Sequence, residues 1–463
     1  VIVRYCRLLL AWILMLPVAA CTLAPEQKHT ELPMPSQWRA PHELAPGEGT
    51  AHACWWAALG GTELSDLLRR ARAGNFELEA AKARVRQADA LARAAGAPLL
   101  PELALQGYAE RTRTASDPSS NAHVLALAMN YELDLWGARQ SASRSAQQQA
   151  AATAYLQQAM KISLDASVAQ AYLQTVASRQ RAALTRAAIE NALQSLAAVN
   201  SQYRAGHVTA TELTRRRRAL LALQQQLVSH QRQAAAGLAA LAALLGLPVQ
   251  EVRVSLEGLD TLQVPTQQAA LPPSLLLRRP DIVAMEHQLA AADADVTVAR
   301  AALLPSLNLG ASLGLGDERW RLPGHPVYEL VAGLTMPIFN GGQLRAQRDQ
   351  RSARRDEVLA LYRAAIINAL AEVESALQGL DASRSERRQQ QQALAESSEL
   401  VRLASSRHAA GFVDVLALGD ARAELYAISD VAVEKRLTEL EAAVTLYKAL
   451  GGEWRDGACA SIF

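Results

Sequence analysis

The chain has few aromatic side chains: Phe, Trp and Tyr make up 5% of its 463 residues, although half of all residues are hydrophobic. Ala, Leu, Gln and Arg dominate instead, and these lose little conformational freedom in a helix. So much apolar side chain excludes a wholly disordered protein. Beyond the first twenty residues no window of about 20 is free of charge, which excludes a bundle of membrane-spanning helices. Net charge is also lacking. The 47 Lys and Arg face 45 Asp and Glu, and the basic excess is Arg4 and Arg7 near the start, so the remainder is neutral. A neutral chain has no global electrostatic drive toward nucleic acid, and none is expected as a partner. The nine His are scattered, and no Cys/His metal spacing, Gly-Lys phosphate loop or Gly-x-Ser-x-Gly elbow occurs. No metal, no other cofactor and no enzymatic activity are expected.

Arg4 and Arg7 precede the apolar run Leu8–Leu16, and small residues follow. A basic start, a short apolar run and a small-residue cleavage site read as an export signal over residues 1–20, too short to span a bilayer. Leu16-Pro17-Val18-Ala19-Ala20-Cys21 also resembles a bacterial lipobox. The Cys21 thiol would then carry a diacylglyceryl thioether and, as the new first residue, an N-acyl chain. Thr22, where an Asp would suggest inner-membrane retention, favours the outer membrane. Cys54 and Cys459 remain near the two ends of the mature chain. A disulfide is chemically allowed in an exported protein, but two unpaired thiols are the simpler reading.

One pattern occurs twice. Leu99-Leu100-Pro101-Glu102-Leu103 returns as Leu303-Leu304-Pro305-Ser306-Leu307, offset by 204. Asp134-Leu135-Trp136-Gly137 lines up with Ile338-Phe339-Asn340-Gly341 at the same offset, and Arg204-Ala205-Gly206 matches Ala409-Ala410-Gly411 with one extra residue. Each half reads as a helix (about 62–95, then 281–301), a Pro, an alternating strand, a polar turn and a returning strand. The strands are expected at about 102–115, 123–136, 305–317 and 326–338, where polar and apolar residues alternate with period two. Glycines then release the chain into very long helices. From Ala138 to about Tyr203 there is neither Pro nor Gly, and about 65 helical residues span roughly 100 Å. A break at Gly206 starts a return helix ending before Gly246 and Pro248; the second copy breaks near Gly411 and returns to Leu450. Such helices read as coiled-coil or α-barrel material. The strands are long enough to cross a bilayer, but four are too few to close a barrel, and a sheet in lipid must close. Several copies must share one.

Taken together, Tyr131-Glu132-Leu133-Asp134-Leu135-Trp136-Gly137, Ser274-Leu275-Leu276-Leu277-Arg278-Arg279-Pro280-Asp281-Ile282, Ala299–Leu307 and Pro337-Ile338-Phe339-Asn340-Gly341-Gly342 resemble the TolC-like outer-membrane efflux proteins, in particular their lipid-anchored drug-efflux branch. The resemblance covers nearly all of the mature chain. It implies a mainly α protein with a membrane β-barrel portion: a homotrimer sharing one 12-stranded barrel above a tunnel of long helices. It also implies docking on a periplasmic adaptor and an inner-membrane pump of the RND type. The order becomes signal peptide 1–20, lipid-anchored extended segment 21–61, first efflux repeat 62–271, second repeat 272–452 and tail 453–463. In the family an apolar residue and an Asp, one turn apart, ring the closed periplasmic end; here they are Leu416 and Asp420. A second acid, often three residues before that Asp, is replaced by Ala417, with Asp414 six before it. Three symmetry-related Asp420 would repel unless ions or bases intervene. The run Arg215–Arg218 reads as a solvated or intersubunit face, and His207 and His408 as turn residues.

The expected function is a passive exit duct for drugs and other small toxic compounds across periplasm and outer membrane. The alternatives are a duct for a type I protein secretion system and a periplasmic coiled coil without a pore. Lipidation has a direct test: Cys21→Ser should abolish labelling by a fatty-acid analogue, and undiminished labelling would remove the lipobox reading.

Overall fold

The computed structural model describes residues 35–39, 55–112, 120–255, 258–264, 279–317 and 325–452. The export signal, Cys21, Cys54, Cys459 and the tail lie outside the described residues. In chain order the elements are α1 (Trp55–Gly74), α2 (Phe76–Gly96), β1 (Glu102–Thr112), β2 (Ser120–Leu133), α3 (Ala138–Arg204), α4 (Ala210–Leu245), α5 (Pro280–Ala301), β3 (Ser306–Asp317), β4 (His325–Thr335), α6 (Gln343–Ala409) and α7 (Val415–Ala449). No described helix is long and apolar enough to cross a membrane. The chain divides into two compact units.

One unit includes Arg84–Ala154 and Val283–Ala365 and holds every described strand. These form one antiparallel sheet in the order β1-β2-β3-β4. Alternation separates its faces. Leu103, Leu105, Leu125, Leu127, Leu313, Leu315, Leu330 and Leu334 share one face and are exposed. The opposite face carries Gln106, Tyr108, Asn130, Glu132, Asn308, Ser312 and Glu329 and lines a hollow of about 1300 Å³. An exposed leucine face backed by a polar one is the pattern of a sheet between lipid and an aqueous lumen.

The two hairpins are not in the same register. Glu102 pairs with Asn130, whereas Ser306 pairs with Thr335. The offset is therefore 204 between β1 and β3 but 205 between β2 and β4, and the extra residue falls between Asp317 and His325. Everything downstream keeps 205: Ala138 and Gln343 open the long helices, and Thr209 and Asp414 cap the return helices. The counterpart of Asp134-Leu135-Trp136-Gly137 is accordingly Phe339-Asn340-Gly341-Gly342, one residue later than the sequence motifs suggest. The apolar pattern moved with the insertion. Odd-numbered residues face outward on β2 and even-numbered ones on β4, so the leucines stay on one face despite the slip.

β2 and β4 also stop at Leu133 and Thr335, short of the expected 136 and 338. After β2 the Asp134 carboxylate turns away to accept the Arg139 and Gln140 N–H groups at the start of α3, at 3.1 and 2.9 Å. Trp136 Nε1 donates to the Pro305 carbonyl at 2.6 Å. After β4, Pro337 has no N–H to give a ladder. The single first helix expected at 62–95 is two helices. Asn75 separates them: its Oδ1 accepts the Leu78 N–H at 2.8 Å, and its Nδ2 donates to the Leu244 carbonyl at 2.9 Å.

The other unit comprises the described residues within Pro33–Ala83, Tyr155–Ile282 and Ile366–Phe463. Its core is mainly aliphatic, with Leu173, Leu241, Leu245, Leu440 and Leu446 fully buried alongside the aromatic Tyr172. Three aromatic rings meet here: Trp55 stacks on Tyr447 with centroids 4.5 Å apart, and Trp56 meets the same ring edge-on at 4.7 Å. α1 is tied to α3 by Arg72, whose guanidinium donates twice to the buried Asp165 carboxylate at 2.9 and 2.7 Å. Burial pushes the Asp165 carboxyl up against the opposing pull of Arg72. Arg279, just before Pro280 opens α5, is buried and bridges Asp281 and Glu372 at 2.7 and 2.6 Å.

Small residues let helices approach. At Gly237 in α4 a Cβ would lie 2.6 Å from Thr175 Oγ1 on α3. That hydroxyl is committed to the Ala171 carbonyl at 2.7 Å, so it cannot rotate away freely. In an exposed helix Gly→Ala gains about 1 kcal/mol. Here Gly237→Ala should instead destabilise by about 1–3 kcal/mol. Thermal unfolding checks this, and adding Thr175→Ala should restore part of the loss.

Candidate functional site

The candidate gate stands at the two breaks between outgoing and returning helices. α3 and α4 are joined through Gly206 at φ 77°, and α6 and α7 through Gly411 at φ 81°, a left-handed conformation in which glycine carries no Cβ penalty. The second turn is closed by Phe412 N–H donating to the Arg407 carbonyl at 2.9 Å. His408 Nδ1 lies 2.9 Å from the Val413 carbonyl oxygen, so this His serves the turn. Each return helix has its own cap. The Thr209 hydroxyl accepts the Glu212 N–H at 3.4 Å, and Asp414 Oδ1 accepts the Ala417 N–H at 2.9 Å. The acid six residues before Asp420 is thus engaged as a helix cap.

Leu416 and Asp420 lie on one face of α7, one turn apart. Leu416 is half-buried; the Asp420 side chain keeps 56% of its surface exposed. Its carboxylate is not free. Arg216 on α4 forms a two-pronged bridge to it, with Nη2 3.1 Å from Oδ2 and a second contact between Nη1 and Oδ1. Arg216 Nε also donates to Glu212 Oε1 at 2.8 Å. The bond to Asp420 is the main cause that holds the Arg216 guanidinium well above its usual range. Glu212 is held below the usual carboxylate range, first by Arg215 and then by Arg216.

The start of α7 is pressed onto α3. Asn191 Nδ2 donates to the Gly419 carbonyl at 2.9 Å, and a Cβ on Gly419 would collide with the Ser195 hydroxyl. Further along, Arg181 on α3 donates to both Asp430 oxygens at 2.8 and 2.7 Å and reaches Glu434 at 3.3 Å. The buried His230 of α4 lies 3.6 Å from Asp430. A cavity of about 360 Å³ lies between the Arg216 and Asp430 bridges; its lining is mainly apolar, with Leu184, Leu223 and Val431, and also includes Thr185, Asn191, Ser195 and Gln226.

Arg216 is the residue that sequence reasoning passed over. Within Arg215–Arg218 it alone is turned inward; Arg215 stays exposed while bonding Glu212, and Arg217 and Arg218 are exposed. The faint signal was Glu212 at i−4, with neighbours in the run splayed by about 100°. The base that could relieve acid repulsion at Asp420 is therefore in the same chain.

Known proteins match this architecture throughout. The family described as outer membrane efflux protein matches twice, over residues 67–247 and 271–452. The chain belongs to the outer membrane efflux protein family. It is 41% identical to the pyoverdine export outer membrane protein OpmQ of Pseudomonas aeruginosa, over 95% of both chains. It is 36% identical to OpmQ of Pseudomonas putida over 96% of both. Among solved structures, the open state of the Neisseria gonorrhoeae MtrE outer membrane channel superposes with a TM-score of 0.81 at 26% identity, covering 93% of this chain and 98% of that one. The protein is an outer-membrane efflux channel, a transporter component with a long-helix portion and a membrane β-sheet portion.

The Arg216–Asp420 bridge should be real but modest, because Asp420 is solvent-screened. Arg216→Ala, Asp420→Ala and the double variant should give a coupling of about 0.2–1 kcal/mol in thermal unfolding, largely lost in about 1 M salt. A coupling of zero at low salt would mean that the pair does not hold α4 to α7.

Proposed function

We propose that three copies of the chain form the exit duct of a tripartite efflux assembly. The duct is anchored by lipid on Cys21, docked on a periplasmic adaptor and an inner-membrane RND-type pump, and gated at the helical turns by Leu416 and Asp420. One observation carries the reading: a four-stranded sheet with an exposed leucine face and two open edges, in a chain whose α3 and α6 each run 67 residues. Three such sheets make twelve strands, enough for closure. Leu416 would exclude water from the constriction. The Arg216–Asp420 bridge would hold α4 against α7 in the closed form. The closed state needs to be favoured by only a few kcal/mol, so an adaptor that binds the open form better can shift it.

The cargo is small molecules. Both OpmQ relatives are named for export of pyoverdine, which favours a secreted compound of that kind beside drugs and other toxic compounds, and favours small-molecule export over protein secretion.

In detergent the protein should have the mass of three subunits, and in planar bilayers it should conduct weakly. Replacing Leu416 and Asp420 together with Ala should raise single-channel conductance several-fold and let larger hydrophilic antibiotics enter cells. A closed monomer would contradict the assembly; unchanged conductance in a folded trimer would remove these residues from the gate.

A further inference from the structure

The sheet has two unpaired edges, β1 and β4, and the internal duplication specifies how they meet. Within one chain, β2 pairs with β3 so that Leu133 faces Leu307 and Tyr131 faces Leu309. β4 is the counterpart of β2 at offset 205, and β1 is the counterpart of β3 at offset 204. Applying the same pairing to the two free edges turns an observed contact inside the chain into a contact between copies.

Resting on the trimer reading above, we propose that β4 of one copy pairs antiparallel with β1 of the next copy in one register: Thr335 opposite Gln106 and Leu334 opposite Gly107, with Met336 and Ile338, just past the end of β4, continuing the same line toward Leu105 and Leu103. The faces support it independently. Even-numbered residues of β4 and odd-numbered residues of β1 point outward, so this register sets apolar against apolar and lumen-facing against lumen-facing. A slip of one residue would place outward Leu334 beside inward Gln106 or Tyr108, reversing every pair. The chemistry agrees. Ile338 is 95% exposed and Met336 is also exposed, as are Leu103 and Leu105. The register joins these two apolar groups and lays Leu334 over Gly107, which has no side chain of its own.

The seam between copies also differs from the seam within the chain. Inside the chain, Trp136 Nε1 bolts the foot of β2 to the Pro305 carbonyl. The counterparts between copies are Gly341 and Pro101, and Gly341 has no side-chain donor to offer. In place of the helix-capping Asp134 stands Phe339, 91% exposed. The foot of the seam between copies is therefore held by apolar contact rather than by an indole hydrogen bond.

Cysteine crosslinking tests the register. In a chain with Cys54→Ser and Cys459→Ser, Met336→Cys is combined with Leu105→Cys, or with Leu103→Cys or Gly107→Cys as controls two residues out. Within one chain β1 and β4 are three strand spacings apart, about 14 Å, so any bond joins two copies. Directly opposed residues are within disulfide reach, whereas neighbours two residues along are about 7–8 Å away. After oxidation in membranes, the 336/105 pair should give at least about tenfold more covalent dimer and trimer than either control. A detergent mass of three subunits with crosslinking strongest in a control pair, or in none, overturns the register while leaving the trimer standing. A mass other than three subunits overturns the trimer reading itself, and the register with it.

Discussion

A peptide group in hydrocarbon has no water to bond, so each backbone N–H and C=O in the membrane must find a protein partner. Most of this chain's organisation follows from that constraint. The sheet satisfies its inner strands with each other, and β1 and β4 are left with one unpaired edge apiece. A chain built this way is incomplete alone in lipid. The leucine face is likewise no defect, because it is exposed only while lipid is absent. The sharing of one sheet between copies, its closure and the register between neighbours all follow from backbone pairing, with side chains choosing among the few registers it permits.

The helical unit answers a different constraint. With so few aromatics, long helices gain packing by coming close rather than by interlocking large side chains. Gly237 against Thr175 and Gly419 against Ser195 are places where a single Cβ would push helices apart. Two polar groups at these contacts are satisfied across helices, Asn191 by the Gly419 carbonyl and Arg181 by Asp430. Close approach at the start of α7 and the Arg216 bridge act at the same place, so the candidate gate rests on both packing and charge.

Much of this was legible because punctuation and period are strong signals. The absence of Pro and Gly from Ala138 to Tyr203 marked a helix whose observed bounds are Ala138–Arg204. Period-two alternation marked the sheet, and the recurring Leu-Leu-Pro marked the duplication. What stayed hidden depended on contacts between distant segments. The extra residue between β3 and β4 sits in a polar turn, and motifs rich in Gly and apolar residues align nearly as well one position off. Asn75 looks like any polar residue in a helix until its amide meets Leu244. Four consecutive arginines read alike along the chain; only the helix opposite singles out Arg216. Leu416 and Asp420 came from a resemblance, and nothing in their spacing announced that Asp420 already has a partner.

That partner belongs to the same chain, and the arithmetic of symmetry makes a small bond matter. An exposed ion pair contributes only about half a kcal/mol. Three identical pairs that must all be broken for the open form would contribute about 1.5 kcal/mol, roughly a tenfold change in the ratio of closed to open channels. A weak bond thus becomes a usable threshold through repetition alone. Because each bridge is complete within its own chain, a partner that engages a single copy can still release a third of that threshold before touching the others.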